Sequence, residues 1–480
     1  MGSTGEVHVL MVTFPAQGHL SPLLKIAKRL VPKGIHVTIA TLDYVRDRLL
    51  RSNNHSATLY TTAAASGSID LKFFSDGFSL DFDRESNAER WFEALKTNGP
   101  KNLSALIANL AKERDVSFSC IISNNFMPWV TDVAEEQNIP SAVLWIQATA
   151  AYSVYYRYYK KCNDFPPLVE NSREKIDLPG IPGLEVRDFP GFMFPVYANS
   201  FGRLVYDFVQ KLDKVKWVLG SSFFELEEEV VNSMASLKEI IPIGPVVSPF
   251  LLGEEEKTVG NFEMYKAEDS CTEWLDNQAP ASVVYISFGS ILLLNQQQVD
   301  SISKALKNTE RPFLWVVRSP AQPEKDKKDS EKKVGELSSE FLRETKDRGL
   351  VVTWCPQERV LMHPALSCFL THCGWNSTME SVVVGLPVIA YPSWTDQPMD
   401  AKLLVDCFKI GVRMRNGDNG KLSVEEVERC LKEVSDGPQA AEMKKRAAEL
   451  KEAARRTVRK GGSSDRNLEK FINEISSKSI

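Results

Sequence analysis

The stretch "THCGWNSTMES", residues 371 to 381, brings a histidine, a glycine, a tryptophan, an Asn-Ser pair and an acid together within a few residues. A short apolar run, Ser367 to Leu370, leads into it, and the pattern predicts a strand followed at once by a helix opening at Gly374, where the glycine lets the backbone turn tightly. The first amides of a helix point away from its body, and the dipole makes that end positive. The amides of Trp375, Asn376 and Ser377 therefore suit an anion such as a phosphate. His372, at the strand end, adds a donor to the same spot. Glu380 lies four residues after Asn376 and so shares its face of the helix. A carboxylate one turn inside a phosphate-binding helix suits ribose hydroxyls.

Two flanking segments repeat this strand-loop-helix layout. In "VVTWCPQERVL", Trp354 offers a flat face for a base and Gln357 an amide for a base edge. In "VIAYPSWTDQP", Trp394, Asp396 and Gln397 set a ring, an acid and an amide side by side, a composition that suits a sugar. Any one of these tryptophans alone reads more simply as core. Groups for base, ribose, phosphate and sugar, in order between residues 354 and 397, point instead to a nucleotide sugar. Near the N-terminus, His19 stands at the carboxyl end of the first apolar run. With an unperturbed pKa near 6.5, a histidine there is a natural general base. His8 and His36 fall inside apolar runs and read as structural.

These residues need elements to hold them. "VHVLMVTF" reads as a strand, and Ser21-Pro22 as the N-cap and first-turn proline of the helix that follows. "IHVTIAT", "CIIS" and "SAVLWIQ" read as further strands with helical stretches between them. After residues 243–268, which are rich in proline, glycine and acid, the alternation restarts with "SVVYISFGS", a helix near 297–308, "PFLWVVR", "LVVTW", "SCFLTH" and "LPVIAYP". The run "EKDKKDSEKK" at 324–333 reads as a solvated, mobile loop. Ser423 and Glu426 form a capping box for a helix through Val434. Leu468, Phe471, Ile472 and Ile475 mark a last amphipathic helix. Strands alternating with helices mean parallel sheets covered on both faces. The expected architecture is α/β with two doubly wound, Rossmann-like domains and a cleft between them: an N-terminal domain over 1–245, a linker over 246–265, a C-terminal domain over 266–458, and a last helix at 459–480.

Composition narrows the function. The chain has 480 residues and a formal charge of −5, which gives no electrostatic case for nucleic acid or an anionic membrane. No apolar window is long enough to span a bilayer, and position 6 is Glu6 where a myristoylation signal needs Ser or Thr, so a cytoplasmic protein, most simply a monomer, is expected. The eight cysteines form no CxxC pair and read as reduced thiols. Cys368, Cys373 and His372 lack the spacing of a zinc site, and no metal is expected. A nicotinamide dehydrogenase is disfavoured because "PAQGHLSP" replaces G-x-G-x-x-G after the first strand.

The segment from Trp354 to Gln397 resembles the signature box of the plant glycosyltransferases that move a sugar from a UDP-sugar onto small molecules. "FPAQGHLSP", the "SFGS" strand end and the final helix are similar to that family too, so the likeness runs along nearly the whole chain. It implies the fold called GT-B, inversion at the anomeric carbon, UDP-glucose as co-substrate with no further cofactor, and no metal. It implies that Trp354 stacks on the uracil and Gln357 bonds it, that Glu380 holds the ribose, that the N-domain binds the acceptor and the C-domain the donor, and that the last helix packs back on the N-domain. His372, Asn376, Ser377 and Ser290 hold the phosphates, and Trp375, Asp396 and Gln397 the sugar, with Cys355 and Trp394 in the same donor-binding box. A glutamine ending the box fits glucose rather than galactose. His19 is then the general base.

Two positions depart from that family. An aspartate usually orients the histidine, and in "CIISNNFMPW" its place is taken by Asn124. An amide orients imidazole but does not offset imidazolium charge; in a serine protease triad the same replacement costs ~10⁴-fold in turnover. Either another acid substitutes, or the acceptor needs little deprotonation: a carboxylic acid is already ionised at pH 7, whereas a phenol needs real help. The surrounding text, including "NIPSAVLWIQATAAYSVYYRYY", resembles the subgroup that makes glucose esters of aromatic and indole acids, with phenolic O- and C-glucosylating relatives close by. The second departure is Ile146, where many relatives carry a threonine that touches the sugar. The expected function is glucosylation of small aromatic carboxylates. Phenolic O- or C-glucosylation is the alternative, and a non-catalytic nucleotide-sugar sensor is the remote one, which a strand-end histidine base argues against.

Overall fold

The computed structural model describes residues 6–52, 58–61, 67–84, 86–114, 116–169, 172–198, 201–254, 270–290, 292–317 and 335–477. The charged run at 324–333 and positions 255–265 of the expected linker lie outside the described residues. The chain divides into two compact units. One comprises Met1–Pro249 together with Arg456–Ile480, and the other Tyr265–Arg455 with Phe250–Glu254.

In the first unit the strands are β1 (Val7–Val12), β2 (Ile35–Leu42), β3 (Thr58–Thr61), β4 (Ser68–Phe74), β5 (Phe118–Asn124), β6 (Ser141–Trp145), a separate antiparallel ribbon β7 (Lys175–Leu178) and β8 (Ile181–Glu185), then β9 (Trp217–Gly220) and β10 (Ile241–Pro242). Eight of them form one sheet in the order β10-β9-β6-β5-β1-β2-β4-β3, parallel except where β3 meets β4. Val9, Met11, Val37, Ile39 and Ile122 face one core and are almost fully excluded from water, as strands covered on both sides require. The helix Ser463–Ser476 joins that same core through Leu468, Phe471, Ile472 and Ile475. Phe471 meets the Trp217 ring edge-on at 5.3 Å, and Glu474 accepts the Trp217 indole N–H at 2.5 Å.

In the second unit β11 (Val283–Ser287), β12 (Phe313–Val316), β13 (Gly349–Val352), β14 (Leu366–Thr371), β15 (Val388–Ala390) and β16 (Gly411–Arg413) form a wholly parallel sheet in the order β13-β12-β11-β14-β15-β16. In each sheet the strand order reverses beside the unit's first strand: between β1 and β5, and between β11 and β14. Loops leaving two adjacent strands in opposite directions open a crevice there, where ligands of doubly wound sheets bind. His19 and Asn124 follow the first switch; Ser290 and His372 follow the second.

Local readings needed correction at three places. The first helix runs Gln17–Leu30, so Ser21 is not its cap and Pro22 lies inside it. The Ala16 carbonyl accepts from both His19 and Leu20 at 2.9 Å, closing the first turn before the Ser-Pro pair is reached. His19 therefore sits in the first turn of the helix rather than ahead of it. Ser423 does cap the helix Val424–Asp436 through the Glu426 amide, but the Glu426 side chain turns to Arg429 and to the Arg415 amide, so the box is half-formed. The tight turn before the signature helix falls on Cys373, whose φ is +68°, while Gly374 is an ordinary N-cap with φ −59°.

Candidate active site

In the second unit, the helix Trp375–Val384 opens directly from β14, as the sequence predicts. Gly374 is needed for space rather than for its backbone angle. A Cβ there would lie 2.6 Å from His372 Nε2, and one on Gly289 would lie equally close. His372 is thus wedged between the turn after β11, which carries Ser290, and the turn after β14. Desolvation pushes its imidazole down to about 4, so at neutral pH it is an uncharged hydrogen-bonding group.

The uracil and ribose candidates are joined directly. Gln357 Nε2 donates to Glu380 Oε2 at 2.7 Å and to Ser377 Oγ at 3.2 Å. Its Oε1 accepts from the Tyr285 hydroxyl at 2.9 Å, and that hydroxyl also lies 3.2 Å from Cys355 Sγ. Tyr285, on β11, is fully buried and stacks on Phe369 at 4.7 Å. Burial pushes its phenol well above the ordinary value, so it remains a donor. Tyr285 was not singled out from the sequence: within "SVVYIS" it reads as one more apolar strand residue. Trp354 is half-buried on the loop before the helix Gln357–Leu361. Trp375, Ser377 and Glu380 are buried, and Asn376 is half-buried.

At the end of β15, Gln397 Oε1 accepts from the amides of Ser393 and Trp394 at 3.0 and 3.2 Å, and Thr395 Oγ1 donates to Asp396 Oδ1 at 2.8 Å. Thr395 has φ +63°. Ser393, Trp394, Asp396 and Gln397 are thereby held as one knot.

In the first unit, the loops after β1 and β5 bring His19 and Asn124 together, with Asn124 Nδ2 at 3.3 Å from His19 Nδ1. Asn124 is fully buried. Its Oδ1 accepts the Phe126 amide at 3.1 Å, and its Nδ2 donates to Thr13 Oγ1 at 3.1 Å. His19 is half-buried, and desolvation pushes its imidazole down to about 4. Ile146 lies in the core and presents no polar atom.

The ring of His19 belongs to an aromatic wall that sequence reasoning missed. Phe14 lies 5.3 Å from it, and Phe126 meets it edge-on at 4.8 Å. Trp91, Phe92, Phe192 and Phe201 continue the wall. Trp91 donates its indole N–H to Asp76 at 2.8 Å, and Asp76 is paired with Arg84 at 2.7 and 3.1 Å. Burial opposes the charge on Asp76, but Arg84, the Phe78 amide and Trp91 outweigh it and hold the carboxyl below its ordinary range. These rings come from segments spread between residues 14 and 201, so no local pattern announces them.

Away from both sets, Glu6, His8 and His36 bring ligand atoms within 4.8 Å of one another at the opening ends of β1 and β2, the far strand ends from His19. Among the described residues no helix is long and apolar enough to cross a membrane.

Residues 50–451 match the family model described as "UDP-glucoronosyl and UDP-glucosyl transferase". The chain is 50% identical over 483 residues to UDP-glycosyltransferase 84B1 of Arabidopsis thaliana, covering 99% of each. It is 39% identical to the cinnamate beta-D-glucosyltransferase of Fragaria ananassa, covering 99% of this chain and 84% of that one. Among solved structures, Os79 from O. sativa in complex with UDP superposes with a TM-score of 0.83 at 29% identity, covering 97% of this chain and 100% of that one.

Proposed function

The chain belongs to the UDP-glucuronosyl and UDP-glucosyl transferase family, with the GT-B fold, and from that premise we propose that it transfers glucose from UDP-glucose to the carboxylate of a small aromatic acid, inverting the anomeric carbon. The observation that carries this reading is the neutral amide of Asn124, 3.3 Å from His19 Nδ1. An amide offers no charge to stabilise imidazolium, and desolvation already holds His19 neutral. An acceptor that arrives ionised suits such a site. Cinnamate, named in the relative 39% identical to this chain, carries a carboxylate as its one acidic group.

In the second unit, Trp354 stacks on the uracil, and Gln357, held by Tyr285, meets its edge. Glu380 binds the ribose. The first amides of the helix Trp375–Val384, with His372, Ser377 and Ser290, take the charge of the diphosphate as it leaves. Asp396 and Gln397, locked by their own loop, fix the glucose hydroxyls. In the first unit, the aromatic wall around Phe14, Trp91 and Phe126 takes the acceptor ring and places its reacting oxygen at His19. One carboxylate oxygen then bonds to the anomeric carbon on the face opposite UDP, which inverts that carbon. The bond from carbon to the diphosphate oxygen breaks, and its electron pair leaves on UDP.

Turnover with UDP-glucose against a panel of aromatic acids, phenols and polyketide-like phenolics tests this. The expected products are glucose esters, cleaved by mild alkali. A panel in which phenols outrun acids and the products survive alkali overturns it in favour of phenolic O- or C-glucosylation.

A further inference from the structure

The hydrogen bonds around Asn124 decide more than the charge beside His19. The Asn124 side chain has two ends and three neighbours. Its Oδ1 faces the backbone N–H of Phe126 at 3.1 Å, a donor with a fixed proton. Its Nδ2 faces Thr13 Oγ1 at 3.1 Å and His19 Nδ1 at 3.3 Å. The Thr13 hydroxyl spends its own proton on the Phe14 carbonyl at 3.2 Å and is left as an acceptor. Turning the amide over would set its NH₂ against the Phe126 N–H, two donors face to face in a site closed to water, which is costly. The amide is therefore held with Nδ2 towards the histidine, and an NH₂ group only donates. His19 Nδ1 must accept, so in the neutral ring the proton lies on Nε2. Phe14 and Phe126 hold the ring between them at 5.3 and 4.8 Å, which opposes a flip exchanging the two nitrogens.

We infer that Asn124 is a positioning residue that locks His19 as the Nε2–H tautomer, so that the nitrogen not bonded to Asn124 offers a hydrogen-bond donor to an anionic acceptor instead of a lone pair to a protonated one. A carboxylate partner at position 124 does the opposite: it accepts Nδ1–H and leaves Nε2 bare, the arrangement a general base needs. This deepens the proposed function and rests on it for the identity of the acceptor. A carboxylate nucleophile carries no proton to lose. It accepts the Nε2–H bond on one oxygen, attacks with the other, and the transfer is complete without the ring gaining a proton. A phenol must shed its proton as it attacks. Nε2 already holds one and Nδ1 is engaged by Asn124, so the ring has nowhere to put it. Selection for ionised acceptors then follows from tautomer as well as from charge.

The tautomer is read directly. Full-length enzyme with ¹⁵N-labelled histidine gives two-bond ¹H–¹⁵N correlations that separate protonated from bare ring nitrogens, with His19→Gln assigning the signal. The wild type, without acceptor, is expected to show His19 protonated at Nε2 and bare at Nδ1. Asn124→Asp is expected to reverse this and to raise the phenol-to-acid rate ratio by roughly 10²- to 10⁴-fold, the range of general-base assistance. A wild-type His19 protonated at Nδ1 overturns the inference, and this readout needs no variant at position 124 to fold. An Asn124→Asp enzyme that folds and keeps the wild-type tautomer or rate ratio also overturns it. The acceptor reading fails separately: an enzyme with Nε2–H that still prefers phenols refutes the carboxylate assignment while the tautomer stands.

Discussion

Tyr285→Phe isolates one hydroxyl deep in the second unit. The ring keeps its place in β11 and its stack on Phe369, so packing is retained. What goes is the donor 2.9 Å from Gln357 Oε1. Without it the Gln357 amide is free to turn, and its Nε2 bonds to Glu380 at 2.7 Å and Ser377 at 3.2 Å loosen. A neutral hydrogen bond contributes about 1 kcal/mol and one to a carboxylate about 1.5–3. Losing the first and part of the second puts the penalty on UDP binding at about 1–2 kcal/mol, or roughly 5- to 30-fold in Kd. Titration calorimetry with UDP on Tyr285→Phe, Gln357→Ala and the double variant measures it. Because Tyr285 acts through Gln357, the double variant should bind no more weakly than Gln357→Ala alone. If Tyr285→Phe binds UDP within about twofold of wild type, or if the two losses simply add, then the Gln357 amide is oriented by something else.

Phe471→Ala should lower the melting temperature by roughly 6–20 °C, from a cavity cost of about 3–5 kcal/mol and about 2–4 °C per kcal/mol for a unit of this size; a calorimetric shift below about 2 °C would mean the last helix contributes little to the first unit's core. His19 and His372 are both held down to about 4, against about 6.5 in the unfolded chain. Between those values the unfolded chain binds protons that the folded one does not, so stability should rise from pH 4 to 6.5 and level off above it. Denaturant titrations of a His19→Gln, His372→Gln double variant should show a flatter rise over that window, and an unchanged slope would contradict the burial of these two rings.

Much of the second unit was readable because its chemistry is local. Trp354, Gln357, His372, Glu380 and Gln397 fall on three consecutive strand-to-helix turns, and residues near in sequence there are near in space. Strands of six or seven residues built around an apolar run, such as β5 and β14, were equally plain. Two of the shortest were not: β10 has two residues and β16 three, with no longer apolar run around them to announce a strand. The wall beside His19 was illegible for another reason. Phe14, Trp91, Phe126, Phe192 and Phe201 meet only through the fold, and each alone looks like any buried ring. The direction of the Asn124 amide is set by the backbone of Phe126 and by Thr13, just past the end of β1, and a residue's identity does not say which way its amide points.

The return of residues 463–476 to the first unit has a consequence for how the protein is made. Their apolar face completes the core around β9, yet they leave the ribosome only after residues 265–455, the bulk of the second unit. At 5–20 residues per second that is a delay of roughly ten to forty seconds. During it the nascent first unit exposes the ring of Trp217 and the apolar surface that Leu468, Phe471 and Ile472 later cover. The second unit, contiguous apart from its short segment at 250–254, has every strand to hand as soon as β16 emerges, and can finish first although it is made second. The half translated first is then the last to have all of its core residues, and chaperone demand in the cell should fall on it.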